Sequence, residues 1–275
     1  MIRERRPRGA GAHQTPPEPG ERAGPTTGTD GLRLALSLLT VVPVRCQRVD
    51  RDTARQAMTL APAAGLLVGL MAALVLVVST WLGLGPLPAA ALAVAATALL
   101  TRGLHLDGLA DLADGLGSGR PPAEALAVMK KSDIGPFGVV TLVLTLVIQV
   151  AALAEAPVSA VVVACMTGRL AVTWACRQGI PAARPEGLGV LVAGTVRLRD
   201  AVVATAATVA VSALAGLTGG VRGPLSAAAA VLVGLGLATV LLRHAVRRLG
   251  GITGDVLGAL VETAVTAAVL TMCVR

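Results

Sequence analysis

Seven apolar stretches, each close to the length needed to cross a hydrocarbon layer of about 30 Å, alternate with loops of sharply different charge. They run roughly over 60–80, 87–104, 137–154, 157–176, 201–219, 224–242 and 256–274. One set of loops holds Arg45, Arg48, Arg51 and Arg55, then Arg102, Arg120, Lys130 and Lys131, then Arg177, Arg184, Arg197 and Arg199, then Arg243, Arg247 and Arg248. The other set, near 81–88, 154–158 and 219–223, holds only Arg222. Lipid offers no partner to an open backbone N–H or C=O, so stretches of this kind are restricted to helices. The expected fold is an all-α, polytopic integral membrane bundle. Its basic loops belong in the cytoplasm, which puts the N-terminus inside and the C-terminus outside.

Composition removes the alternatives. The 275 residues are 54% hydrophobic and only 15% charged, with long Ala, Val, Leu and Gly runs in place of the mixed core of a water-soluble enzyme. The net charge of +8 is not interleaved with aromatics, of which there are only Trp81, Trp174 and Phe137, so no nucleic-acid surface is expected. Cys46, Cys165, Cys176 and Cys273 form no CxxC pair, which argues against a zinc site or a disulfide framework. Residues 1–30 mix Arg with Pro, Gly and Thr and read as a disordered basic tail, leaving 31–275 as a single transmembrane catalytic domain. Within it, Leu32 to Val44 is too short to span and ends at Pro43. A short interfacial or re-entrant helix is expected there.

Chemistry is expected at the basic end of the bundle. In Arg102-Gly-Leu-His-Leu-Asp-Gly-Leu-Ala-Asp-Leu-Ala-Asp-Gly, Asp107, Asp111 and Asp114 fall within an arc of roughly 60° on one helix face. Three carboxylates so close repel one another unless a cation or protons intervene, and oxygen-only donors suit Mg²⁺ or Mn²⁺. All three are candidate ligands of Mg²⁺. Asp111 and Asp114 are also candidate catalytic groups, Asp114 as the proton acceptor; the bland alternative is a solvated helix end. His105 points to the opposite face, for packing or for catalysis.

Further candidates surround this segment. Lys130, Lys131, Ser132 and Asp133 precede a span that starts at Pro136, where lysine charge and free helix amides suit a phosphate, or where the lysines simply anchor the loop. Arg169 sits inside a span, either as a catalytic phosphate clamp or as the ion-pair partner of Glu262. Asp255 and Glu262, seven residues apart, share a face of the last span and form a second acidic stripe. Glu186 lies in the Gly-rich loop Arg184-Pro-Glu-Gly-Leu-Gly-Val and joins the substrate-binding candidates. Small residues four apart, at Gly65 and Gly69 or Gly254 and Gly258, suit close helix packing, although so Gly-rich a chain produces such pairs by chance.

These residues resemble the cobalamin synthase family, the adenosylcobinamide-GDP ribazoletransferases. The likeness runs in order through Leu39-Thr-Val-Val-Pro-Val, Ala61-Pro-Ala-Ala-Gly-Leu-Leu-Val-Gly, Gly103-Leu-His-Leu-Asp-Gly-Leu-Ala-Asp-Leu-Ala-Asp-Gly, Met129 to Gly138, Glu186-Gly-Leu-Gly and Gly250-Gly-Ile-Thr-Gly-Asp-Val-Leu-Gly-Ala, covering about residues 32–275. Where many members read Asp-Ser-Arg or similar, this chain has Lys131-Ser132-Asp133. The resemblance implies that the ribose 3′-hydroxyl of α-ribazole, or of its 5′-phosphate, attacks the cobinamide-side phosphorus of adenosylcobinamide-GDP and that GMP leaves. It also implies a multi-pass protein of the cell membrane with its site on the cytoplasmic side. Displacement on a diphosphate calls for a divalent ion, cationic groups and a base, which agrees with the residues singled out. Oligomeric state is left open.

Two other readings compete. The Asp-Gly-Leu-Ala-Asp run partly resembles the membrane CDP-alcohol phosphotransferases, but their motif has Arg where Asp111 stands and their later acid spacing is absent. An ion-coupled transporter also tolerates an intramembrane Arg and acidic stripes. Against it, the acids gather at one membrane face and the chain has no clear internal repeat.

Overall fold

The structure is a computed structural model and describes residues 28–46 and 48–274. Most of the basic tail expected over 1–30 lies outside the described residues. Residues 28–30 belong to the first helix, with Asp30 in its first turn, where a carboxylate offsets the positive end of the helix dipole.

Twelve α-helices are seen among the described residues, with no strand. A short pair comes first: α1 (Gly28–Leu39) packs on α2 (Arg51–Thr59) and on the first long helix. Then follow α3 (Ala61–Trp81), α4 (Pro86–Leu100), α5 (Leu104–Gly117), α6 (Pro122–Val128) and α7 (Pro136–Glu155). The last five are α8 (Ser159–Ala175), α9 (Leu188–Val192), α10 (Leu198–Gly216), α11 (Gly223–Leu249) and α12 (Gly254–Cys273). Proline stands in the first two positions of α3, α4, α6, α7 and α11, where its missing N–H is no loss and its fixed φ suits a helix start. Gly250, at φ +83°, ends α11 in the left-handed conformation that a helix stop requires.

All seven expected spans are helical, but they are not alike. Five helices (α3, α7, α11, α12, and α10 with the turn that follows it) are long and apolar enough to cross a membrane. The stretch expected to span 87–104 stops at Leu100, and the chain turns by 88° into α5. Arg102 (φ +55°) and Gly103 (φ +68°) form this corner, both in the left-handed region that interrupts a helix. The stretch expected over 157–176 is the 17-residue α8, buried along nearly its whole length and packed by α3, α10, α11 and α12. A helix enclosed by protein need not match the thickness of the bilayer. By length and apolarity alone, five helices among the described residues are able to cross a membrane, or six if the bent α4–α5 pair counts as one, and the shorter apolar α8 runs between the same two ends of the bundle.

Two glycine pairs show how closely the helices approach. A Cβ on Gly65 would come within 2.9 Å of the Met166 Cα, and one on Gly69 within 2.7 Å of the Val162 Cα, so α3 and α8 touch backbone to backbone. A Cβ on Gly108 would lie 2.9 Å from the Asp255 Cα, and one on Gly258 3.1 Å from the His105 Cα. This second contact presses α5 onto the start of α12 and so brings Asp255 beside the carboxylates of α5.

Chain connectivity gathers the corner, α5, α6, α9 and the starts of α7, α10 and α12 at the end of the bundle that carries the basic loops. The Gly-rich loop there is tied down by backbone bonds. Ala183 N–H donates to the Ile252 carbonyl at 3.0 Å, Ile252 N–H to Pro181 at 2.9 Å, and Gln178 N–H to Val196 at 2.8 Å.

Candidate active site

Helix α5 runs between two clefts. One, of about 280 Å³, is lined by Asp107, Arg184, Glu186, Thr253 and Asp255 among others. The second, of about 270 Å³, is lined by Asp111, Asp114, Lys131 and Asp133 with Ser118 and Arg120. Asp107 is exposed, Asp111 is half-buried and Asp114 is 8% exposed, so the acidic face of α5 grades from solvent into protein.

Asp114 lines the second cleft and is also bonded to the start of α7. Its carboxylate accepts the N–H of Gly135 at 2.7 Å and that of Gly138 at 2.9 Å. These are free amides at the start of α7, which a carboxylate satisfies while also meeting the positive end of the helix dipole. The amides expected to hold a phosphate there are therefore taken by the protein's own anion. Gly135 and Gly138 are required to be small, because a Cβ on either would run into the Asp114 carboxylate.

The loop between α6 and α7 divides its residues. Lys130 donates a hydrogen bond to Glu186, which joins this loop to the Gly-rich loop and holds the Glu186 carboxyl below the usual glutamate range. Lys131 and Asp133 line the cleft beside Asp111. Ser132 is exposed and lies outside both clefts.

Arg169 and Glu262 form no ion pair. Arg169, 2% exposed, faces inward with a guanidinium nitrogen 3.4 Å from His105 Nδ1. Glu262 instead accepts from Gln149 Nε2 at 2.8 Å, and Gln149 also reaches the Thr266 hydroxyl at 3.0 Å. His105 thus faces the bundle core, opposite the acids as its helical position requires, and Arg169 braces α5 from behind.

The residue that sequence reasoning undervalued is Arg184. Its Nη1 lies 3.7 Å from Asp255 Oδ2 and its Nη2 donates to the Leu126 carbonyl at 2.8 Å, while its Nε is buried without a partner. Its position two residues before Glu186 was the available signal, and its membership in the basic-loop set concealed it. Thr253 caps α12 by accepting from Val256 N–H at 3.2 Å and donates to Asp255 Oδ2 at 3.2 Å. Asp255 is thereby held facing Asp107 from across the cleft.

Among the described residues, no three of His, Cys, Asp and Glu close around one metal position. Asp107 and Asp111 face the clefts with Asp255 opposite, all carboxylate oxygens within electrostatic reach of one another and of Arg184, while each Asp114 oxygen already accepts one backbone N–H. Mg²⁺ takes one or two protein carboxylates and completes its shell with water and substrate phosphate, so this open set of hard donors fits it. Arrangements of this type can neutralise and orient a diphosphate.

The chain matches the family model described as cobalamin-5-phosphate synthase over residues 31–273. It is 45% identical to the adenosylcobinamide-GDP ribazoletransferase of Frankia casuarinae, over 87% of this chain and 93% of that protein. Proteins of the same description from Nocardioides sp. (44% identical, 90% of this chain and 99% of the relative) and Bradyrhizobium diazoefficiens (42%, 84% and 88%) are also similar. No solved structure matches the chain.

Proposed function

The chain belongs to the cobalamin-5-phosphate synthase family, and from that premise we propose how its own residues carry out the transfer named for its relatives. The reaction joins adenosylcobinamide-GDP to α-ribazole or to its 5′-phosphate. The ribose 3′-hydroxyl oxygen forms a bond to the cobinamide-side phosphorus, the bridging P–O bond to GMP breaks, and the hydroxyl proton is lost to a base. The observation that carries this reading is the acidic face of α5, set between two clefts with Asp255 and Arg184 facing Asp107.

Asp107 and Asp111, aided by Asp255, would hold Mg²⁺, which when bound neutralises phosphate oxygens and steadies charge developing on them. Arg184, which lines the cleft with Asp107 and Asp255, supplies guanidinium charge to the diphosphate. Arg169 takes no part in binding phosphate; it is a positioning residue acting through His105. Asp114 fixes the start of α7, which sets the second cleft beside Asp111. Two clefts on either side of one acidic helix give the two substrates separate seats with the scissile diphosphate between them.

The membrane is the cell membrane, with this site on the cytoplasmic side, where the positive-inside rule puts the basic loops. The test of the activity is GMP release from adenosylcobinamide-GDP by the purified full chain, with and without α-ribazole. GMP that appears only with α-ribazole supports transfer. Release from CDP-alcohol substrates instead would favour the phosphotransferase reading.

A further inference from the structure

A cleft of about 680 Å³ lies away from α5 and shares no lining residue with the two clefts beside that helix. It opens between the last turns of α8 and α11, at the basic end of the bundle. Its inner part is apolar, formed by Leu235, Gly236 and Val240 of α11, and Val240 is 62% exposed on the flank that faces lipid. Its outer part carries Arg177, Arg243 and Arg247, and no acidic residue lines it.

Those arginines are poised without a protein anion. Among the described residues, none of the three makes an ion pair. The Arg177 guanidinium lies over the Trp174 ring at 5.0 Å, and the Trp174 indole N–H donates to Thr205 Oγ1 at 2.9 Å, which fixes the ring between α8 and α10. The result is an apolar trough along a lipid-facing helix that leads up to three guanidinium groups. A soluble anion would use the arginines and leave the trough without a purpose. A molecule that joins an acyl chain to a phosphate uses both.

We propose that this cleft is a binding site for one anionic phospholipid, its phosphate held by Arg243, Arg247 and Arg177 and one acyl chain laid along Leu235 to Val240. Guanidinium forks suit phosphate oxygens, and basic pockets between spans at the cytoplasmic surface are where anionic head groups are retained. The site does not depend on the assignment of the transferase residues.

The test uses the full chain in phosphatidylcholine nanodiscs doped with phosphatidylglycerol, with retained lipid read by native mass spectrometry. Wild-type protein is expected to keep one phosphatidylglycerol in preference to phosphatidylcholine. Each of Arg243→Gln and Arg247→Gln should weaken that preference about fivefold, and the pair about 25-fold. If the double variant fails to insert, the single variants carry the test. Equal retention of the two lipids by wild type, or an unchanged preference in both single variants, would overturn the proposal. Displacement of the lipid by inorganic phosphate or GMP at millimolar concentration would also overturn it, and would make the cleft a site for soluble phosphates.

Discussion

At the scale of single residues, the three aspartates of α5 separate into two kinds. Asp107 and Asp111 keep open carboxylates, whereas Asp114 spends both oxygens on the amides of Gly135 and Gly138. Asp114→Asn leaves one of those amides facing an NH₂ group, so the thermal midpoint should fall by the equivalent of about 1–3 kcal/mol. Added Mn²⁺ should not restore its activity; restoration would return Asp114 to the metal ligands. The arginines separate similarly. Arg184→Lys keeps charge but loses the fork, and KM for adenosylcobinamide-GDP should rise about tenfold. Arg169→Lys should lower the thermal midpoint with KM within about twofold of wild type, since the side chain is sealed from the clefts. Spacing alone placed the three acids on one face, because helical geometry is local. It could not reveal that Asp114 meets a helix start 21 residues away in sequence, nor that Lys130 meets Glu186 across 56 residues.

At the scale of elements, the close approach of α5 and α12 positions the site. Gly108→Ala adds a methyl group 2.9 Å from the Asp255 Cα, so the helices must part. Activity should fall at least tenfold although no polar group changes, and a nearby substitution into open space, Gly103→Asn, should be far milder. Wild-type rates for Gly108→Ala would show that the α5–α12 contact does not set the geometry. Helix α2 shows a more ordinary device: Asp50 accepts from Thr53 N–H at 2.8 Å and from Arg48, which hold its carboxyl down from 3.8 to about 2. The carboxyl is easier to ionise in the folded chain, so its contribution is complete above about pH 4 and is lost as pH falls towards 2. Acid titration of α2 helicity should therefore show wild type more stable than Asp50→Asn at pH 5 and above, with the difference shrinking as pH falls from about 4 to 2. Pro136 marked the start of α7, and apolar length made α3, α7, α11 and α12 readable from sequence. The corner at Arg102–Gly103 was not, because the apolar run passes through it and only a left-handed backbone at a non-glycine residue marks the turn.

At the scale of the whole molecule, apolar length identified where helices lie but not which of them meet lipid. Helix α8 is as apolar as a span and yet is enclosed by its neighbours, while α7 exposes Val140, Leu144 and Val147 outward. Charge alternation between loops was legible because it is a one-dimensional property, whereas enclosure depends on the packing of α3 against α8. The central claim is that the open carboxylates of α5 act on the diphosphate with Mg²⁺ at the basic end of this bundle. Its most direct test is the initial rate of GMP release from adenosylcobinamide-GDP and α-ribazole, for wild type and for Asp107→Asn and Asp111→Asn, across a Mg²⁺ titration that begins in EDTA. The account predicts no release in EDTA, a rate in each variant at least 10²-fold below wild type, and partial recovery at raised Mg²⁺ or with Mn²⁺. Wild-type rates in EDTA, or full activity in both variants, would contradict it.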